Sequence, residues 1–155
     1  MSAREQPVDL GVLLGVAFQE FVRDLHAAHA AAGFADLGSS DGFVFRSLAS
    51  GPMTVSALAG HLEITKQGAA QIIDDMERRG YVEREPHPSD RRAKLVRLSA
   101  RGEAALANAR RFHRAYERRL ARRYGAQPVS TLRVMLEAIA GAEQSVDPRI
   151  RPFYL

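Results

Sequence analysis

The side chains with the most recognisable chemistry fall between Thr65 and Ser99. Lys66, Gln67 and Gln71 are long hydrogen-bonding groups at the start of one segment, and Arg91, Arg92 and Lys94 cluster in the middle of the next. A glutamine amide can donate to and accept from the major-groove edge of adenine at once, whereas guanidinium and ammonium groups suit phosphate oxygens. Asp74, Asp75 and Glu77 would repel phosphates, so contact with a polyanion is expected through the first half of their segment, at Thr65, Lys66, Gln67 and Gln71. Asp90 suits a turn, where its carboxylate can bond a backbone amide two residues on or pair with Arg92. It is expected to brace the basic tip.

Helical and alternating patterns position these groups. Thr65 is a natural N-cap, and Ala69, Ile72, Ile73 and Met76 recur at helical spacing until Gly80 stops the helix. Tyr81, Val82 and Arg84 then lead into Pro86 and Pro88, and Lys94 to Leu98 returns with Leu95, Val96 and Leu98 apolar, which predicts a two-stranded wing. Upstream, Thr54 begins a helix with Val55, Leu58, Ala59 and Leu62 inward, and Glu63-Ile64-Thr65 links it to the next helix at helix-turn-helix spacing. A shorter helix carries Phe43, Val44, Leu48 and Ala49, with Ser39 or Ser40 as its N-cap, before Ser50-Gly51-Pro52 breaks the chain. Gly38 to Gly42 formally matches G-x-S-x-G, but a helix and a linker precede it where a nucleophile turn needs a buried strand. No catalytic residue is expected.

Long helices flank this region. Leu14, Phe18, Phe21, Leu25 and Ala28 form a stripe from Val8 to about Ala32, ended by Gly33. After Ser99, an N-cap, Leu106, Ala109, Phe112, Tyr116, Leu120 and Tyr124 trace one face of a helix of about six turns. Pro128 opens a last helix with Leu132, Met135, Leu136 and Ile139 on one side. Phe18, Phe21, Leu25, Leu132, Leu136 and Ile139 are together too apolar for a monomer to expose, which predicts self-association. The tail from Asp147 to Leu155 ends in Phe-Tyr-Leu and is expected to pack on a partner or on the first helix.

Composition narrows the classes further. With 155 residues, 46% of them hydrophobic, the chain can bury one sizeable core. It has no cysteine, which excludes disulfides and thiolate zinc sites. The charged first residues and Glu20, Arg23 and Asp24 in the stretch that follows fit neither a signal peptide nor a membrane span, so a cytoplasmic setting is expected. The net charge is +4, but Ala100 to Tyr124 holds eight arginines against Glu103 and Glu117, so the remainder is net acidic. Placement of charge therefore says more than its sum. Arg110, Arg114, Arg118 and Arg122 form a like-charge ladder read as a solvated face, and His26 and His29 read as a satisfied or solvent-facing pair, with no metal or cofactor expected.

With these residues in view, the chain resembles the MarR family of winged-helix transcriptional regulators over nearly its full length, most specifically from Leu48 to Gly102. Leu58-Ala59 with Leu62 is similar to the family's first motif helix. Glu77-Arg78-Arg79-Gly80-Tyr81-Val82-x-Arg84 resembles the passage into the wing, and Asp90-Arg91-Arg92 with Leu95-Val96-x-Leu98-Ser99-x-x-Gly102 resembles the D-x-R wing signature and its exit. The resemblance implies a mainly α fold with a small β-wing (α+β). A winged helix-turn-helix domain would span 36–99, with a helical dimerisation region at 1–35 and 100–155. It also implies a homodimer on a pseudo-palindromic DNA operator, and repression relieved by a small aromatic or phenolic anion bound between the dimerisation helices and the DNA-binding lobe. His26, His29, Phe43, Arg46 and His113 are candidates for that ligand by position, and Arg92 is selected over Arg91 for the minor groove. The alternative is a winged-helix module that contacts protein or RNA.

Overall fold

The computed structural model describes residues 7–141, so the expectation for the tail from Asp147 lies outside the described residues. In chain order the elements are α1 (Leu10–Ala31), α2 (Asp41–Leu48), β1 (Met53–Thr54), α3 (Val55–His61), α4 (Lys66–Arg78), β2 (Val82–Pro86), β3 (Lys94–Leu98), α5 (Ala100–Tyr124) and α6 (Ala126–Ala140). The fold is mainly helical with one small antiparallel sheet.

Hydroxyl caps set three of the helix starts. Thr54, Thr65 and Ser99 lie in extended backbone and accept the N–H three residues on, at Ala57 (3.1 Å), Gly68 (3.0 Å) and Gly102 (3.1 Å). Each such cap contributes about 1 kcal/mol. Ser40 differs from expectation: it precedes α2 but is already in helical backbone, makes no side-chain cap, and leaves Asp41 to accept the Gly38 N–H at 2.7 Å. The turn before α2 is thus closed by a carboxylate. It follows a helix and a loop, so Gly38 to Gly42 does not form a strand-to-helix nucleophile turn.

The sheet has three strands in the order β1-β3-β2, one more than the sequence pattern shows. Met53 pairs with Val96 and Thr54 with Leu95, while Val82 to Pro86 pair with Leu98 to Lys94. A two-residue strand is too short to display alternation. Val82, Val96 and Leu98 are buried, and outward Glu83 meets Arg97 at 2.6 Å. The core joins Phe43, Val44, Phe45 and Leu48 of α2 to Leu58, Leu62, Ile73, Met76, Tyr81 and the sheet, closed from α5 by Ala105 and Leu106.

The long helices divide differently from the expected stripes. Val22 and Leu25 of α1 are buried within the chain, and Phe21 stacks among Phe112, His113 and Tyr116 of α5, so Leu25 is not available to a partner. Leu10, Val12, Leu13, Leu14 and Val16, one turn or more before Phe21, stand exposed, as do Leu132, Met135, Leu136 and Ile139 of α6. Pro128 falls at the third position of α6, whose start is set by Gly125 at φ +95°. No helix among the described residues is long and apolar enough to cross a membrane.

Gly102 sits where the start of α5 presses on the Tyr81 backbone, and a Cβ there would overlap the Tyr81 carbonyl oxygen that also accepts the Ser99 N–H at 3.0 Å. Alanine favours helix by about 1 kcal/mol over glycine, yet forced displacement of packed backbone costs about 1–3 kcal/mol. Gly102→Ala is therefore expected to lower the urea midpoint, and a raised midpoint would show that the contact yields freely.

Candidate functional site

Helix α4 buries Ala69, Ile73 and Met76 and turns its first residues outward. Thr65, Lys66, Gln67 and Gln71 are exposed, and Gln71 also borders an open groove of about 970 Å³ between α4 and the 38–41 loop. The acidic second half of α4 is occupied within the chain. Asp74 and Glu77 both bind Arg84 of β2, and Asp75 binds Arg78 and Arg79. Asp74 and Glu77 tie the helix to the wing, and all three carboxylates mark which half could face a polyanion.

Arg79 closes the far end of the same helix. Its guanidinium meets Asp41 of α2 at 2.6 Å, the Asp36 carbonyl at 2.7 Å and Asp75 at 2.8 Å. The side chains of Arg79 and Asp41 are only 19% and 4% exposed, and the Asp41 bond raises the guanidinium's affinity for its proton. Arg101 of α5 lies over the Tyr81 ring at 4.4 Å and bonds the Arg79 carbonyl (2.6 Å) and Asp36 (2.9 Å). The Tyr81 hydroxyl donates to Asp36. Burial, with that bond, pushes the phenol up to about 12, and the same bond, aided by Arg101, holds the Asp36 carboxyl below its usual range.

At the wing tip Asp90 takes one of its two expected partners: its carboxylate accepts the Arg92 backbone N–H at 2.9 Å. The guanidinium groups of Arg91 and Arg92 and the amine of Lys94 remain exposed. His87, which the sequence pattern did not single out, shares the bracing. Its Nδ1 accepts the N–H groups of Ser89 and Asp90, each at 3.2 Å. The signal was a ring acceptor two residues before a Ser-Asp turn.

The five residues proposed by position for a ligand come together. His26, His29, Phe43, Arg46 and His113 line one cavity of about 470 Å³ between α1, α2 and α5, with Leu25, Phe45 and Leu106 in its apolar wall. Arg110 was missed as a lining residue, although it lies one turn before His113. Asn108 was missed too: its amide nitrogen contacts His29 Nδ1 at 3.2 Å and the Ala28 carbonyl at 3.4 Å, while its oxygen accepts from Arg111 at 3.3 Å. His26 is exposed and His29 is buried and satisfied. Burial, then the nearby His26 and His113, disfavours a proton on His29; burial and Arg46 do the same for His113. Among the described residues no group of three or more His, Asp or Glu is arranged to hold a metal ion.

Residues 36–93 match the MarR family model. The described fold is also similar to that of several solved structures. The chain is similar to FabT of Streptococcus pneumoniae, solved in complex with DNA, at TM-score 0.73 and 19% identity over 84% of this chain and 92% of that one. It is similar to wild-type MarR of E. coli in its apo form at TM-score 0.62 and 23% identity, over 88% and 100%. YusO of Bacillus subtilis matches at TM-score 0.69 and 19% identity, over 90% and 98%. Among curated protein sequences none matches this chain.

The Tyr81 environment sets an alkaline limit on stability. A phenol that ionises near 10 when unfolded and near 12 when folded stabilises the fold fully below about pH 10 and ceases to do so as pH rises toward 12. Tyr81→Phe should accordingly show a smaller fall in urea midpoint between those pH values than the parent chain. An identical fall in both would mean that Tyr81 does not titrate against Asp36.

Proposed function

We propose that this chain, whose residues 36–93 match the MarR family, is a cytoplasmic DNA-binding transcription regulator. One observation carries the reading. The first half of α4 and the wing tip present Lys66, Gln67, Gln71, Arg91, Arg92 and Lys94 outward, while Asp74, Asp75 and Glu77 are bound to arginines of the chain itself. In this reading 36–99 is the DNA-binding domain, Gln67 and Gln71 read base edges in the major groove, and Arg91 and Lys94 hold phosphates. Arg92 enters the minor groove, with Asp90 bracing the turn behind it. The fold likeness to FabT in complex with DNA supports the same assignment.

The regulator acts as a homodimer on a pseudo-palindromic operator. Support comes from the exposed apolar residues of α1 and α6, where Leu10 is 72% and Ile139 74% exposed, more than a stable monomer leaves in water. Repression is relieved by a small aromatic or phenolic ligand in the cavity between α1, α5 and α2. An occupant there touches both the long helices and the helix that carries Asp41, so its presence can bear on how α4 is held.

Selection of a preferred duplex from a random pool tests the function. Gln67→Ala or Gln71→Ala should cost about 1–3 kcal/mol on the selected site and little on random DNA. Arg92→Ala should weaken binding and blunt any preference for flanking A·T steps. Asp90→Ala should weaken binding although it removes a negative charge, and tighter binding would refute the bracing role. Preference for RNA, or salt-driven binding with no selected duplex, would overturn the DNA reading in favour of an interaction module. Sedimentation at micromolar concentration should give a dimer; a monomer that binds a two-fold site with full affinity would contradict the assigned faces.

A further inference from the structure

The turn between β2 and β3 is closed on an imidazole. Nδ1 of half-buried His87 lies 3.2 Å from the backbone nitrogens of both Ser89 and Asp90, and 3.3 Å from the Ser89 hydroxyl. A backbone N–H can only donate, so Nδ1 is the acceptor in this turn and carries no proton. Two backbone bonds tie the same turn: the His87 N–H donates to the Ala93 carbonyl at 3.3 Å, and the Ala93 N–H to the Asp90 carbonyl at 3.1 Å. Asp90 gives its own N–H to His87 while its carboxylate accepts that of Arg92 at 2.9 Å, so the ring is joined to Arg92 through a single residue.

We infer that His87 is a positioning residue for Arg92 and that it holds the wing tip only while Nδ1 is unprotonated, so that preference for a selected duplex is lost as the ring takes up a proton. The inference rests on the reading of the wing as a DNA contact. Protonation acts on the turn in two ways. It puts a donor where Ser89 and Asp90 need an acceptor, and leaves both amides to water. It also sets a charged N–H beside the Asp90 carboxylate, which competes with the neutral Arg92 amide for the same oxygen.

The other charges around the ring come from the turn and from the two strands it joins. Glu85 of β2 is bound to Arg97 at 3.1 Å, Lys94 of β3 stands opposite Pro86, and Arg91 and Arg92 of the turn are exposed. Asp90 is therefore the carboxylate that an imidazolium at His87 would draw on. An added positive charge on its own favours any phosphate backbone alike. Loss of positioning and gain of charge thus move binding in opposite senses: preference for the selected duplex falls, while affinity for random DNA holds or rises.

Measurements on the full chain, with and without DNA, test this. Without DNA, nitrogen NMR at pH 8 should place the His87 proton on Nε2, and hydrogen-exchange protection of the Ser89 and Asp90 amides should fall at least about threefold as the ring titrates. With DNA, the ratio of affinities for a selected and a random duplex should fall at least about threefold between pH 8 and pH 5, the interval in which imidazoles change charge. His87→Asn, whose amide oxygen can accept the N–H two residues on at either pH, should keep the high ratio throughout. His87→Ala should show the low ratio throughout. His26, His29, His61 and His113 remain in both variants, so a ratio that falls in His87→Asn as it does in the parent would assign the effect elsewhere and overturn the proposal. A proton on Nδ1 at pH 8, unchanged protection, or a His87→Ala chain with the parent's ratio would overturn it too. Absence of any preferred duplex would count against the regulator reading, and the ring's proton and the amide protection would still decide whether His87 holds the turn.

Discussion

The buried pair of Arg79 and Asp41 is the constraint on which the arrangement depends. Arg79 ends α4, Asp41 begins α2, and the same guanidinium reaches Asp75 and the Asp36 carbonyl. A charge so little exposed is costly to bury and is tolerated only when its hydrogen-bonding groups are filled, which this one achieves from three segments of chain. Tyr81 and Arg101 extend the knot into the start of the wing and of α5 through Asp36. Removing one member leaves others buried without a partner, so the outward half of α4, the wing and α2 are held in one mutual geometry.

That geometry gives α2 two faces. Its first residue holds Arg79, while Phe43 and Arg46, less than two turns on, line the cavity against α1 and α5. An eight-residue helix packed on both sides is too short to bend, so a displacement of Arg46 would carry Asp41 with it. The acids on the second half of α4 are partners for Arg79 and Arg84, which fix the helix to its supports.

Most of the elements were legible in the sequence because their signals are local. Thr54, Thr65 and Ser99 act as caps where their spacing to the apolar runs placed them, and the Lys94–Leu98 alternation returned a strand. What escaped depended on short or distant contacts. Met53–Thr54 is too brief to alternate, Ser40 lies in helical backbone and makes no side-chain cap, and Leu25 is buried within the chain. The family resemblance together with position gathered the five cavity residues, but Asn108 and Arg110 became visible only once α1 and α5 were seen side by side. The Arg79–Asp41 pair spans 38 residues, and no periodicity in either segment announces it.

The claim that this knot supports base reading without touching DNA is tested most directly by measuring Asp41→Asn on a selected duplex and on random DNA, at a temperature where a melting curve shows the variant folded. The account predicts that preference for the selected duplex falls at least about tenfold, roughly 1.4 kcal/mol. Affinity for random DNA should stay within about twofold, although the substitution makes the chain more positive. Unchanged preference, or binding that tightens equally on both duplexes, would contradict it.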